Sequence, residues 1–113
     1  MKIYLAGPMQ GYPDFNFPAF FSAAQSLRGQ GHTVFNPAER DVEAHGDAFS
    51  SPTGDLQDIQ HTGFSLREAL YHDTKFICLE AEAIALLPGW ENSKGARAEH
   101  ALAVALGHRT IYL

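Results

Sequence analysis

The stretch AIALLPGWENSKGARAEHALAVALG, residues 83–107, gives the strongest fold signal in the chain. Its first part, 83–87, is apolar at every position, as expected for a central parallel strand that is covered on both faces. Residues 88–94 are predicted to form a loop. The alanine-rich run 95–106 predicts a helix that ends at Gly107. A buried strand followed closely by a helix is one half of a βαβ unit.

The rest of the chain repeats this alternation of strand and helix. Three further strands are predicted at 3–6, 33–35 and 110–113. A helix that begins near Asn16 separates the first two strands, and the capping-box pattern of Ser65 and Glu68 starts another helix. The order β-α-β-α-β-α-β predicts an α/β fold: a doubly wound parallel sheet of about four strands, in the order 2-1-3-4, with helices on both faces.

Length and composition fit one domain over residues 1–113. The chain is 45% hydrophobic and 19% charged, which is an ordinary balance for a globular protein. Segment 38–63 differs from the rest because it is polar and rich in Asp, Gly, Ser and His. It is predicted to be a long loop or lid, with room for a short helix.

The charge and the apolar patterns exclude several classes of partner. A net charge of −5 argues against binding of duplex nucleic acid, although a local positive pocket could still hold a small anion. No apolar run is long enough for a signal segment or a membrane span, so no membrane partner is expected. The single cysteine, Cys78, lies in an apolar stretch and is interpreted as core packing in a reducing compartment. We expect a cytoplasmic protein.

The predicted strand order places a ligand crevice between the first and third strands, beyond their carboxyl ends. The loops 7–14 and 88–95 lie above this crevice. The second loop leads into a helix whose first N–H groups, near Lys94 and Gly95, favour an anion. Ser93 is suited to cap this helix and to offer its hydroxyl to a phosphate. From the residues alone, an anion site and a plain helix cap with solvated cations stay equally open.

Three side chains near the predicted crevice have the chemistry of a catalytic site. Glu99 lies close to the start of the last helix, where the helix dipole favours the ionised form that a nucleophile needs. Asp73 falls on the buried stripe of its helix, where a carboxylate is costly unless it is paired. Tyr4 lies in the first strand beside the crevice. The alternatives are a surface glutamate, a structural aspartate and a tyrosine that only packs.

Several sequence blocks resemble a known family. IYLAGPM at 3–9, NFPAF at 16–20 and GHTVFNPA at 31–38 are similar to small phage and bacterial proteins of the nucleoside 2-deoxyribosyltransferase-like superfamily. The most specific block, AIALLPGWENSKGARAE at 83–99, resembles the DUF4406 branch of that superfamily.

The resemblance implies a reaction and a set of roles. A glutamate at the position of Glu99 attacks C1′ of a (deoxy)ribose and forms a glycosyl ester. The resemblance assigns to Tyr4 the orientation of this glutamate, and to Asp73 a contact with the sugar or protonation of the leaving base. In the nucleotide-hydrolysing branch, a serine six residues before the glutamate binds the 5′-phosphate, and Ser93 occupies that position.

Further substrate contacts are expected from the two crevice loops and the start of the last helix. These predicted contacts are Gly7, Pro8, Met9, Gly11, Asn16, Gly89, Trp90, Ser93, Lys94, Gly95 and Arg97. The six histidines show no ligand spacing, so neither a metal nor a cofactor is expected.

The sequence therefore predicts hydrolysis of the N-glycosidic bond of a (deoxy)ribonucleoside 5′-monophosphate, through Glu99. The expected partner is a small nucleotide or nucleoside, and the resemblance also implies a homodimer or larger homo-oligomer. Two other functions stay open: a nucleoside 2′-deoxyribosyltransferase that exchanges bases, and a nucleotide-binding sensor without catalysis. The base and the type of sugar are left undetermined.

Overall fold

The strands of the computed structural model form one parallel sheet in the order β2-β1-β3-β4, which confirms the predicted topology. The structure describes residues 1–46 and 49–113. The strands are β1 (Lys2–Ala6), β2 (Thr33–Phe35), β3 (Ala83–Leu86) and β4 (Arg109–Tyr112). The α-helices are α1 (Phe17–Gly29), α2 (Pro37–His45), α3 (Leu66–Leu79) and α4 (Lys94–Ala105).

Alternation along β1 divides the core into two layers. Ile3 and Leu5 pack with Phe20 and other α1 side chains on one face of the sheet. Tyr4 and Ala6 point to the opposite face and pack with side chains of α3 and α4, such as Ile77 and Ala96. Every residue of β3 is buried, as a central strand covered on both faces requires.

Side-chain caps fix the starts of the three helices that matter for the site. The Ser65 hydroxyl accepts the Glu68 N–H at the start of α3, and the Ser93 hydroxyl accepts the Ala96 N–H at the start of α4. The Asn36 carbonyl oxygen accepts the Ala38 N–H at the start of α2. These bonds satisfy amides that the first helical turn leaves unpaired.

Segment 38–63 is more regular than the predicted loop. It contains nearly all of α2 and a 3₁₀ helix at Leu56–Thr62. Pro37 at the first helical position and the Asn36 cap start α2, although its polar sequence conceals the small buried face formed by Ala38 and Asp41. Asp47 and Ala48, which belong to the predicted loop, lie outside the described residues.

The expectation that Cys78 packs in the core is wrong. The buried stripe of α3 is formed by Ala69, Asp73 and Ile77, which recur every four residues. Cys78 follows Ile77 directly, so the helix turns it about 100° away from that stripe and exposes it. Among the described residues, no helix is both long and apolar enough to cross a membrane.

Candidate active site

A cavity of about 370 Å³ opens beyond the carboxyl ends of β1 and β3. Its walls come from the loop that follows β1 and from helices α2, α3 and α4. Consecutive connections leave β1 and β3 toward opposite faces of the sheet, which opens a crevice between the two strands. Tyr4, Asp73 and Glu99, which were selected from the sequence as candidate catalytic residues, all line this one cavity.

A short hydrogen bond joins the first strand to the last helix at the base of the cavity. The Tyr4 hydroxyl donates to Oε2 of Glu99 across 2.6 Å. Both side chains are buried, and the Tyr4 ring packs against the neighbouring rings of Phe35 and Phe76. Burial, followed by the nearby negative charge of Glu99 and Asp73, keeps the pKa of Tyr4 well above its ordinary value. Tyr4 therefore stays a donor at neutral pH and fixes the orientation of Glu99.

Glu99 is not the ionised glutamate that its place near a helix start suggested. It is the sixth residue of α4, beyond the first turn where the helix dipole acts most strongly. Burial and then the charge of Asp73 raise the pKa of Glu99 to about 8, against the opposing effect of the Tyr4 hydrogen bond. The unliganded side chain is therefore protonated at neutral pH. Its burial also excludes the alternative of a surface glutamate.

Asp73 brings a second carboxyl group to the same place. It lies on the buried stripe of the unbroken helix α3, and its Oδ1 is buried without a hydrogen-bond partner in the described structure. Burial raises the pKa of Asp73 to about 6, an effect that the nearby Tyr4 hydroxyl and then the positive charge of Arg40 partly offset. The oxygens of a purely structural aspartate would accept hydrogen bonds from backbone amides, so this unpaired oxygen favours a role in the cavity.

Asp73 and Glu99 together hold one proton at neutral pH. Two carboxyl groups that sense each other's charge lose their protons in separate steps, here near pH 6 and pH 8. Between these values, one group is ionised and the other is neutral. Such a pair offers a nucleophile or base together with an acid in the same site.

The start of α4 forms the polar end of the cavity. Ser93, Lys94 and Gly95 all line it. The Ser93 oxygen accepts the Ala96 N–H, which leaves its own proton free to be donated. The first N–H groups of a helix have no partner within the helix, so those of Lys94 and Gly95 are available to an anion.

The loop after β1 closes the cavity from the other side, with Gly7, Pro8 and Met9 on its wall. A β-carbon on Gly7 would lie 2.7 Å from Cβ of Leu87, so only glycine allows the β1 and β3 loops to approach so closely.

Five other predicted contacts do not line the cavity. Asn16 donates to the Pro8 carbonyl, and Gly11 donates to the Gly54 carbonyl, so both hold the loop in shape. Gly89 adopts a φ of +89° in the turn after β3. Trp90 packs on His100, and Arg97 is an exposed residue on the next helical turn.

Sequence reasoning missed Asp41, a third buried acid on the cavity wall. Burial and then the charge of Asp73 raise the pKa of Asp41 to about 7, although the guanidinium of Arg40 lies 3.6 Å away. The sequence feature that could have revealed Asp41 is its spacing of three residues from Ala38 within a polar segment. That spacing places Asp41 on the buried face of α2 once a helix is recognised there. Within the described residues, no group of three or more His, Cys, Asp or Glu side chains is arranged to hold a metal ion.

Comparison with known proteins gives one match. The model of a family described as "Domain of unknown function (DUF4406)" matches residues 1–112. No curated protein and no solved structure matches the chain.

Proposed function

The chain belongs to the DUF4406 family, and we propose that it hydrolyses the N-glycosidic bond of a (deoxy)ribonucleoside 5′-monophosphate. The products are a free base and a sugar phosphate, and Glu99 is the nucleophile. The proposal includes kinship with the nucleoside 2-deoxyribosyltransferase-like superfamily, which the sequence blocks at 3–9 and 83–99 suggest. The observation that carries it is the buried cluster in which Tyr4 holds Glu99 beside Asp73.

The first half of the reaction uses the single proton of the Asp73–Glu99 pair. As the bond from C1′ to the base lengthens, positive charge develops on the sugar and favours ionised Glu99, so the proton resides on Asp73. The Glu99 carboxylate bonds to C1′, and the electrons of the broken bond pass to the base. The base takes the proton from Asp73 and leaves. A glycosyl ester on Glu99 and an ionised Asp73 remain.

The second half of the reaction restores the single proton of the Asp73–Glu99 pair. Water attacks C1′ of the ester, and Asp73 accepts the proton that the water loses. Glu99 leaves as a carboxylate, and the sugar phosphate carries the new hydroxyl. The Tyr4 hydroxyl stabilises the carboxylate of Glu99 at the beginning and the end of this cycle, because a hydrogen bond to a charged acceptor is stronger than one to a neutral acceptor.

In this proposal, the start of α4 binds the 5′-phosphate of the substrate. Ser93, Lys94 and the N–H of Gly95 provide a hydroxyl, a positive charge and a backbone donor on one wall of the cavity. Glu99 lies on the same helix, four residues beyond Gly95. A phosphate held at the helix start would therefore bring the attached sugar toward Glu99.

The exposed apolar side chains support an oligomer as a further part of the proposal. Leu79 at the end of α3 and Tyr112 on the edge strand β4 are 72% and 67% exposed, which is high for such large side chains. Molar mass by light scattering tests this part: a dimer or larger species is expected, and a monomer at micromolar concentration would contradict it.

Base release measured by chromatography tests the proposed reaction. The panel contains ribo- and deoxyribonucleoside 5′-monophosphates and the corresponding nucleosides, each with and without a second free base. Release from monophosphates without an acceptor is expected. Release that requires the second base would indicate the base-exchanging transferase. Tight binding of a monophosphate with no release under either condition would indicate a sensor and would contradict the proposal.

A further inference from the structure

Asp41 has unused hydrogen-bonding capacity and faces the cavity. It is only 5% exposed, yet it lines the cavity with Tyr4, Asp73 and Glu99. Arg40 approaches it at 3.6 Å, and no described residue donates a hydrogen bond to its carboxyl group. A buried carboxyl group normally accepts hydrogen bonds from the protein, because burial without them is costly. The reaction steps proposed above leave Asp41 without a role.

The topology places Asp41 on the far side of the catalytic pair from the phosphate site. Asp41 lies on α2, which follows β2, whereas Ser93 and Glu99 lie after β3. Strand β1, with Tyr4, runs between β2 and β3. Because neighbouring strands are about 4.8 Å apart, the two ends of the cavity are separated by roughly 10 Å. The negative charge of Asp73 raises the pKa of both Asp41 and Glu99, so Asp73 lies near each of these two acids in the cavity.

The proposed function fixes the direction in which a nucleotide would lie in this cavity. With its phosphate at the start of α4 and C1′ at Glu99, the base extends toward α2. The lining of the same cavity includes the apolar side chains Phe64 and Leu66, near the start of α3, and Pro37 at the start of α2. Apolar walls with one polar group suit a flat ring that must be recognised along its edge.

We infer that Asp41 binds the edge of the base and selects a base with two adjacent N–H donors, as guanine has. This inference rests on the proposed function, because it requires a nucleotide in the cavity. An ionised carboxyl group has two acceptor oxygens and no donor. Guanine presents N1–H and an exocyclic amino N–H side by side, so each oxygen receives one bond.

Other bases match the carboxylate less well. Adenine and cytosine present a ring nitrogen acceptor beside their amino group, which places a lone pair against one carboxylate oxygen. Hypoxanthine keeps N1–H but lacks the neighbouring amino group. Burial and then the charge of Asp73 raise the pKa of Asp41 to about 7, and the positive charge of Arg40 offsets this only in part, so the carboxyl group is mainly ionised at pH 8. A site built to receive a donor discriminates strongly against a ligand that lacks it, because its own polar group is then left unpaired.

Equilibrium binding to the Glu99→Gln protein tests the inference without turnover. The probes are GMP, IMP and AMP in their ribo and deoxyribo forms, measured by titration calorimetry at pH 8, above the pKa of Asp41. We expect GMP to bind roughly tenfold more tightly than IMP and more tightly still than AMP. Adding Asp41→Asn, which replaces one acceptor oxygen by a donor, should remove the preference for GMP over IMP and strengthen the binding of AMP.

Two further variants control for folding and for charge. Asp41→Ser removes both carboxylate oxygens and should also abolish the difference between GMP and IMP. Glu43→Gln removes an exposed negative charge from the same helix and should leave all affinities unchanged. An unchanged order of affinities in both Asp41 variants, or binding of no probe, would overturn the inference. Selectivity that depends on Asp41 without any base release would overturn the hydrolysis alone.

Discussion

The Tyr4 hydroxyl lies 2.6 Å from Oε2 of Glu99, and this bond joins the central strand β1 to helix α4 inside the protein. Two local features of the chain bring these two side chains together. Tyr4 alternates onto the face of the sheet that α4 covers, and Glu99 falls three residues after the buried Ala96 of that helix. The pair is therefore fixed by the fold itself, before any ligand arrives. Preorganisation of this kind is what a nucleophile requires.

Tyr4→Phe should lower kcat roughly 10- to 100-fold and leave KM nearly unchanged. The phenyl ring keeps the packing on Phe35 and Phe76, but the hydrogen bond to the charged form of Glu99 is lost, at a cost of about 1.5–3 kcal/mol. Steady-state base release measures both constants. Tyr71→Phe is the matched control because Tyr71 is 58% exposed. Equal rates in wild type and Tyr4→Phe would show that the bond has no part in catalysis.

The plot of kcat/KM against pH should be bell-shaped, with its two limbs near pH 6 and pH 8. Below the pKa of Asp73, about 6, both carboxyl groups are protonated and no nucleophile exists. Above the pKa of Glu99, about 8, both are ionised and no acid is left for the base. A profile of kcat/KM against pH measures these limbs. Asp73→Asn should abolish the bell shape, and a flat wild-type profile between pH 5 and 9 would contradict the shared proton.

Glu99→Gln should be more stable than the wild type at pH 8.5, by on the order of 4 kcal/mol. The ordinary pKa of this group, 4.5, is raised to about 8 in the folded protein. The unfolded chain therefore loses the proton first, and the stabilisation present at low pH is lost as the pH rises through 8. Glutamine cannot ionise, so the variant avoids this loss.

Urea unfolding at pH 5 and pH 8.5 measures this difference in the free energy of unfolding. Glu91→Gln provides the control, since Glu91 is exposed. If Glu99→Gln and the wild type showed the same dependence on pH, Glu99 would have an ordinary pKa in the folded protein.

Lys94→Ala should weaken the binding of a nucleoside monophosphate about tenfold, while Arg97→Ala should have little effect. Both cations lie near the start of α4, but Lys94 lines the cavity and Arg97 does not. The corresponding nucleoside, which lacks the phosphate, should bind both variants and the wild type equally. Titration calorimetry with a monophosphate and its nucleoside measures the difference. Equal losses in the two variants would indicate only a general electrostatic attraction rather than a phosphate contact.

Much of the fold could be predicted because it depends on local patterns. The apolar run 83–87, the Ser65 cap and the alternation of strands and helices were sufficient for the strand order 2-1-3-4. The meeting of Tyr4, Asp73 and Glu99 could also be expected because each lies next to the predicted crevice, whereas the burial of Glu99 was not predicted.

The remaining features depend on contacts that a linear pattern does not contain. A short helix was allowed within segment 38–63, but the bounds of α2 could not be predicted because its buried face is short and includes a carboxyl group, a type of group usually found at the surface. Asp41 was missed for the same reason. The ionisation of Glu99 was predicted from the helix dipole, whereas burial and Asp73 determine it. Lys94 and Arg97 are both cations near the predicted start of α4. Only the structure shows that Lys94 lines the cavity and that Arg97 does not.

Base release from one nucleoside monophosphate by the wild type, Glu99→Gln and Glu91→Gln is the most direct test of Glu99 as nucleophile. The two variants remove one carboxylate each from the same part of the chain, but only Glu99 lies in the cavity. We predict release by the wild type and by Glu91→Gln at similar rates, and a loss of at least 1000-fold in Glu99→Gln, a size consistent with removal of a catalytic nucleophile. Release by Glu99→Gln at the rate of the wild type would contradict the proposed mechanism.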